Sequence, residues 1–373
     1  MKAKVLKIDI YSADIPFKKV FKHASKEREF SESIFVKIEM ESGEIGFGES
    51  LPRPYVTGED QDSAIANLKR VLPASLLGRS FQSFDEVINF CSSFNELSGA
   101  AKCAYELALL DAGARAFNCS VAKALGGTKI KHLRYSAAIG SDSIFRTNIS
   151  ALKFRLYGIK DVKLKVGDAG DIERLKTVRR YMGKNRDIRL DGNCAWGAEE
   201  AIEKLAVMRD FNFSVIEQPV DKYDLDSLKK ISDAIPEPVM ADESLCNMED
   251  AKNLADQKAC DMFNIRISKC GGLLSSLKIA EFAARSGISY QLGCQVGETG
   301  ILSAAGRHFA SCVNGVKYLE GSYAKFLLVE DIVAEDISFG YGGFARPLRG
   351  AGLGVTVNER VLNKYVIDRI TIS

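Results

Sequence analysis

Five short runs decide the fold: VKLKV (162–166), DIRLD (187–191), FSVIE (213–217), PVMAD (238–242) and DMFNIRIS (261–268), each separated from the next by an amphipathic stretch. Aliphatic or β-branched runs alternating with helical patterns are what successive strand–helix units and a parallel sheet look like in sequence. A charged group stands at or just past the end of each run. The steps between these groups are nearly constant: 26 residues from Lys165 to Asp191, 26 to Glu217, 25 to Asp242 and 27 to Lys269. A strand, its loop, a helix and the return loop take about that length in a (β/α) barrel. The spacing therefore predicts five charged groups at one height, at the C-terminal mouth where barrel sites form. Packing alone would put Val, Ile or Leu there.

Working outward, HLRYSAAIG (132–140), ISYQLGC (288–294) and VKYLE (316–320) bring the strand count to eight, the number in a TIM barrel. Residues 129–340 are thus the barrel. Residues 1–128 have a different texture. Val5–Tyr11 and Ser33–Met40 alternate like antiparallel strands, SGEIGFGES supplies turn glycines, and a polar, basic loop is expected from Lys18 to Arg28, including His23. Helices are predicted over about Asp60–Leu72, Ser83–Phe94 and Ser98–Phe117; the small residues of the last suit close packing on a second unit. The segment 341–373 leaves the barrel pattern and ends in the alternating VIDRITIS, predicted to return to the N-terminal unit.

Composition narrows the class. The chain has 373 residues, 46% of them hydrophobic, and 51 basic against 49 acidic residues leave a net charge of +2. That balance gives no electrostatic reason for nucleic acid or a membrane surface as partner. Nine cysteines without a CxxC pair point to reduced thiols rather than a disulfide framework or a zinc site. The N-terminus has no apolar h-region, and no apolar run reaches membrane-spanning length. We expect a cytoplasmic protein, a homo-oligomer, acting on a small molecule. GAGLG (350–354) is followed by a strand-like run instead of a helix, so it reads as a turn and not a dinucleotide loop.

Three carboxylates at a barrel mouth repel one another and call for a cation. Asp191, Glu217 and Asp242 offer hard oxygen ligands, which suit Mg²⁺, with Mn²⁺ as its substitute. Lys165 and Lys269 are expected on opposite sides of these acids. A metal-bound carboxylate substrate would present its α-carbon between the two amines, and the metal would stabilise the enolate formed on proton loss. A lysine with a pKa of about 10.4 is a poor base at neutral pH. Lys163, two residues away on the same strand face, supplies a like charge that lowers the pKa of Lys165.

The motifs KLKVG (163–167), DGNCAW (191–196), IEQP (216–219), ADES (241–244), NIRISKCGGL (264–273) and GETG (297–300) together resemble the enolase superfamily, and within it the muconate lactonizing enzyme subgroup. The resemblance covers essentially the whole chain. It implies a modified TIM (β/α) barrel with an α+β capping domain. It also implies Mg²⁺ on Asp191, Glu217 and Asp242, an acid/base pair of Lys165 and Lys269, and support from Asn193 and Glu243. Cap loops at about residues 17–29 and 50–58 would shape the pocket, adding His23, Arg53 and Tyr55, with Glu298 of GETG also facing substrate. The mandelate racemase subgroup uses a histidine after the seventh strand, where this chain has GCQVGE. Dipeptide epimerases of the subgroup carry Asp-x-Asp at the eighth strand end to hold the substrate ammonium; here Glu320 and Ser322 stand in YLEGS. The expected reaction is racemisation or epimerisation of a dipeptide or N-acyl amino acid. The alternative is a muconate-type cycloisomerase or an o-succinylbenzoate synthase-like lyase.

Overall fold

The computed structural model describes residues 2–22, 27–97 and 99–373, so His23 lies outside the described residues. At the N-terminus, β1 (Ala3–Lys22), β2 (Glu27–Met40) and β3 (Ile45–Ser50) form an antiparallel sheet, with β4 (Ser80–Phe81) on the start of β1. Among the described residues of the expected basic loop, 18–22 and 27–28 are strand. β1 and β2 pair again at Phe21–Arg28 and Lys22–Glu27 after a register shift between Pro16 and Phe21, because continued pairing satisfies backbone groups that a loop would leave to water.

The helices of this unit begin where their caps dictate. Asp60 accepts from Ser63 N in a capping box before Gln61–Ser75, and Ser83 accepts from Glu86 N before Phe84–Ser93. The helix Gly99–Ala116 lies directly on β3. A Cβ placed on Gly48 would fall 1.9 Å from Ala104 O, and one on Gly46 would fall 2.1 Å from Ala112 N. The alanines of the helix and the glycines of GFG are two halves of one close contact.

The run 132–140 is broken into two pieces. β5 (Leu133–Arg134) turns away from the barrel to pair with β14 (Phe344–Ala345), and Tyr135 N donates to Gly343 O. The barrel sheet then has eight parallel strands in sequence order: β6 (Ala137–Ile139), β7 (Asp161–Lys165), β8 (Asp187–Asp191), β9 (Val215–Glu217), β10 (Val239–Ala241), β11 (Met262–Arg266), β12 (Ser289–Gly293) and β13 (Val316–Leu319). The sheet curls until β6 and β13 meet where Ser136 N donates to Leu319 O at 2.8 Å, but no strand ladder joins them among the described residues. The last strand, β15 (Val366–Ile372), pairs antiparallel with β1.

Candidate active site

Alternation along the strands sorts the barrel interior into layers. At the bottom Val215, Met240 and Met262 pack together with Tyr318 and plug the barrel. Above them the inward positions become polar. Lys163 and Lys165 come from β7, Arg189 and Asp191 from β8, Glu217 from the end of β9, Asn264 and Arg266 from β11, and Gln291 from β12. Register aligns the top of this stack, Lys165 with Asp191 and Asp191 with Glu217. Asp242 follows β10, and Glu320 follows β13.

Buried acids and bases here pair off. The Lys163 amine lies 2.8 Å from Glu320 and 3.4 Å from both Asp191 and Glu217. Arg189 donates to Glu320 at 3.0 Å and to Ser136 Oγ at 2.8 Å, and its guanidinium sits 4.4 Å from the Tyr318 ring centre. Glu217 also accepts from Asn264 at 2.8 Å and Gln291 at 3.3 Å. Arg266 is ion-paired with Asp242. The Lys269 amine is bonded to the Asp242 carboxylate at 2.8 Å, to the Asp242 carbonyl and to Asn264 O at 3.1 Å.

These environments push the two lysines of β7 apart. Burial works against the Lys163 charge, but Glu217, Glu320 and Asp191 outweigh it and hold the ammonium well above its usual range. Burial lowers the Lys165 amine; Lys163 and Arg266 push it the same way, while Asp191 and Glu243 resist. Its Nζ lies 2.7 Å from Asn193 Oδ1, and Asn193 in turn donates to Glu243 at 3.3 Å. Burial, followed by repulsion from Asp191, raises the Glu243 carboxyl to about 7. The turn carrying Asn193 is tight: Asn193 and Cys194 both have positive φ, and a Cβ on Gly192 would come 2.9 Å from Pro219 Cα.

A cavity of about 660 Å³ opens above this layer, and Lys163, Lys165, Asp191, Asn193, Glu243, Arg266 and Glu320 line it together with Tyr55. Several predicted residues lie elsewhere. Glu217 and Asp242 are beneath its floor. Lys269 is fully buried and does not line it. Arg53 is buried and spends its guanidinium on the carbonyls of Glu32, Pro52 and Val296. Glu298 accepts from Gln295 N, burial raises its carboxyl to about 8, and Ser322 accepts from Arg307; neither lines the main cavity.

Arg266 was missed in the sequence. Alternation could have found it, since Asn264 and Arg266 share the inward face of β11 while Lys269 lies three residues past the strand end. Lys165 on β7 and Arg266 on β11 are four strands apart in an eight-stranded sheet, on opposite walls of one cavity.

Asp191, Glu217 and Asp242 present only hard oxygen donors on three adjacent strands, the donor chemistry of a Mg²⁺ site. Among the described residues they do not converge on one point, because Lys163 and Arg266 hold their oxygens instead. The donor set fits a divalent ion that takes the place of the Arg266 contact.

The model for the mandelate racemase / muconate lactonizing enzyme N-terminal domain matches residues 7–126, and the enolase C-terminal domain-like model matches residues 149–361. The chain belongs to the enolase superfamily, in its muconate lactonizing enzyme subgroup. An L-Ala-D/L-Glu epimerase of Bacillus subtilis (strain 168) is 29% identical over 358 residues, 94% of this chain and 96% of that one. The structure of a dipeptide epimerase from Cytophaga hutchinsonii, complexed with Mg and D-Ala-L-Val, superposes with a TM-score of 0.89 at 27% identity, covering 99% of this chain and 100% of that one. A 2-chloromuconate cycloisomerase from Rhodococcus opacus 1CP also reaches 0.89, at 25% identity, covering 98% and 100%. This member of the enolase superfamily is an enzyme, an isomerase. No helix among its described residues is long and apolar enough to cross a membrane.

Proposed function

We propose that this isomerase removes the proton α to a substrate carboxylate with Lys165 as its single base, on one face, in a cycloisomerase type of reaction. The observation that carries the reading is the pair of groups across the cavity, an amine of lowered basicity on one wall and a guanidinium on the other. A guanidinium does not give up its proton in a protein. Arg266 can anchor an oxygen of the substrate or steady a leaving oxyanion, but it cannot take a proton from the opposite face.

Asp191, Glu217 and Asp242 would hold a divalent cation, Mg²⁺ or Mn²⁺. When bound, it would polarise the substrate carboxylate and acidify the neighbouring C–H. The chain's own residues do the rest. Asn193 fixes the Lys165 amine, Glu243 fixes Asn193, and Lys163 stays charged among its three carboxylates. Lys165 takes the proton and can return it only to the face from which it came.

A second reading, racemisation or epimerisation through Lys165 and Lys269, has kinship with the Bacillus subtilis epimerase in its favour. It requires the Lys269 amine to leave Asp242 and reach the cavity. Incubating the Mg²⁺-loaded enzyme with a panel of chiral N-acyl amino acids, dipeptides and lactone acids in D₂O separates the two. Exchange that keeps configuration at the α-carbon, or ring opening in which the α-proton and the lactone C–O bond are lost to give an alkene, supports one-face chemistry when it disappears in Lys165→Ala. Inversion at a rate comparable with exchange would sink it in favour of the second reading.

A further inference from the structure

The cavity is polar at one end only. Its floor and near walls carry Lys163, Lys165, Asp191, Glu243, Arg266 and Glu320, but it continues between β6 and the segment after β13. There Ile139, Phe154, Tyr157, Phe326, Leu327 and Phe339 line it. The opening follows from the sheet. Past the Ser136–Leu319 contact β6 pairs only with β7, so the two ends of the sheet diverge and leave a side slot.

Among the described residues no acid lines the slot, and the one charged residue there, Lys153, is an exposed side chain of the helix Ile144–Leu156. At the inner end of the slot, the Glu320 charge is already balanced by Lys163 at 2.8 Å and Arg189 at 3.0 Å, so a substrate ammonium would compete with two resident cations for it. A charged amine carried into the slot would be desolvated with no unbalanced acid facing it among the described residues, and a second carboxylate would meet only the solvent-exposed Lys153. An apolar chain would gain by its burial there.

We propose that the substrate is a carboxylate whose far end is an uncharged apolar arm, an acyl, alkyl or aryl-alkyl chain without a free amine, seated in the slot between β6 and Phe339. This rests on the α-proton chemistry assigned to Lys165, which fixes where the carboxylate lies.

Calorimetric binding of straight-chain monocarboxylates from butanoate to decanoate to the Mg²⁺-loaded enzyme tests it. Affinity is expected to rise roughly fourfold per methylene that enters the slot. Phe326→Asp, at a position 48% exposed and therefore safe for folding, should flatten that rise and cut decanoate affinity at least tenfold while leaving butanoate unchanged. Ile139→Trp, which fills the slot, should do the same. Affinity that does not change with chain length, an unaltered series in Phe326→Asp, or tighter binding of dipeptides with a free ammonium than of decanoate would each overturn the proposal. The two readings fail separately. A chain-length series without any Lys165-dependent exchange would remove the chemistry and keep the slot, whereas Lys165-dependent exchange with a flat series would do the reverse.

Discussion

Lys163 and Lys165 stand two residues apart on one strand, yet their environments give them different chemistry. Lys163 is surrounded by Asp191, Glu217 and Glu320 and stays an ammonium; Lys165 has burial and two neighbouring cations against its charge. The difference across the cavity is one of residue type, so it can be altered by one substitution. Arg266→Lys places a second amine opposite Lys165, and the expected gain is α-inversion in D₂O, measured by chiral chromatography, beyond the exchange that the one-face reading assigns to the wild type. Under the one-face reading Lys269 has a different job. Its amine neutralises a buried carboxylate, so Lys269→Met is expected to lower stability by about 3–5 kcal/mol in urea unfolding, the cost of breaking a buried pair by removing one partner. If the wild type inverted its substrate and Lys269→Met abolished that inversion while leaving Lys165-dependent exchange and the unfolding midpoint in place, the two-base reading would be the better one. The alternation of Asn264 and Arg266 was legible in NIRIS. The constant 25–27-residue step drew attention to Lys269, three residues past β11, and away from Arg266 at the end of that strand.

At the scale of elements, two cap carboxylates dock the cap on the barrel. Glu49, from β3, accepts from Thr299 N at 2.9 Å, Thr299 Oγ1 at 2.6 Å and Leu302 N at 3.0 Å, at the start of the helix Gly300–Cys312. Glu106, from the helix Gly99–Ala116, accepts from Leu274 N at 2.9 Å, at the start of the helix Leu273–Arg285. Helix N-termini favour such anions, but full burial outweighs this and raises both carboxyls to about 7. Each is therefore protonated when folded and ionised when unfolded between about pH 4.5 and 7. The stability they contribute is complete below the unfolded value and is lost as pH rises through the folded one. Glu106→Gln should flatten that loss, so its urea midpoint relative to wild type should rise from pH 5 to pH 8; a constant difference would contradict the assignment. The β3 contact makes a second test. Gly48→Ala pushes a methyl into Ala104 O and is expected to cost about 1–3 kcal/mol in thermal or urea unfolding.

For the whole molecule, buried charge is balanced within the barrel: Asp191, Glu217, Asp242 and Glu320 face Lys163, Arg189, Arg266 and Lys269. A divalent ion joining this set binds the folded state only, so it should stabilise by about 2.7 kcal/mol at a hundredfold excess over its Kd. Thermal unfolding with Mg²⁺ and with EDTA measures this, and Asp191→Asn should remove the response. An unchanged midpoint in wild type at millimolar Mg²⁺ would count against the metal assignment.

The sequence by itself determined the eight-strand parallel pattern, the three helices of the N-terminal unit, and three acids and two lysines at strand ends, because periodicity and spacing are properties of the chain. Only the tertiary structure decided which of those charges reach the cavity. Lys269 lies past the end of its strand, so its direction depended on whether Asp242 or open space met it. Arg266 gained its place from Asp242 at the end of the neighbouring strand, and Arg189 from Glu320, five strands away. The side slot exists because β6 pairs only with β7 past the Ser136–Leu319 contact, and the local sequence of 132–140 does not mark where that pairing stops.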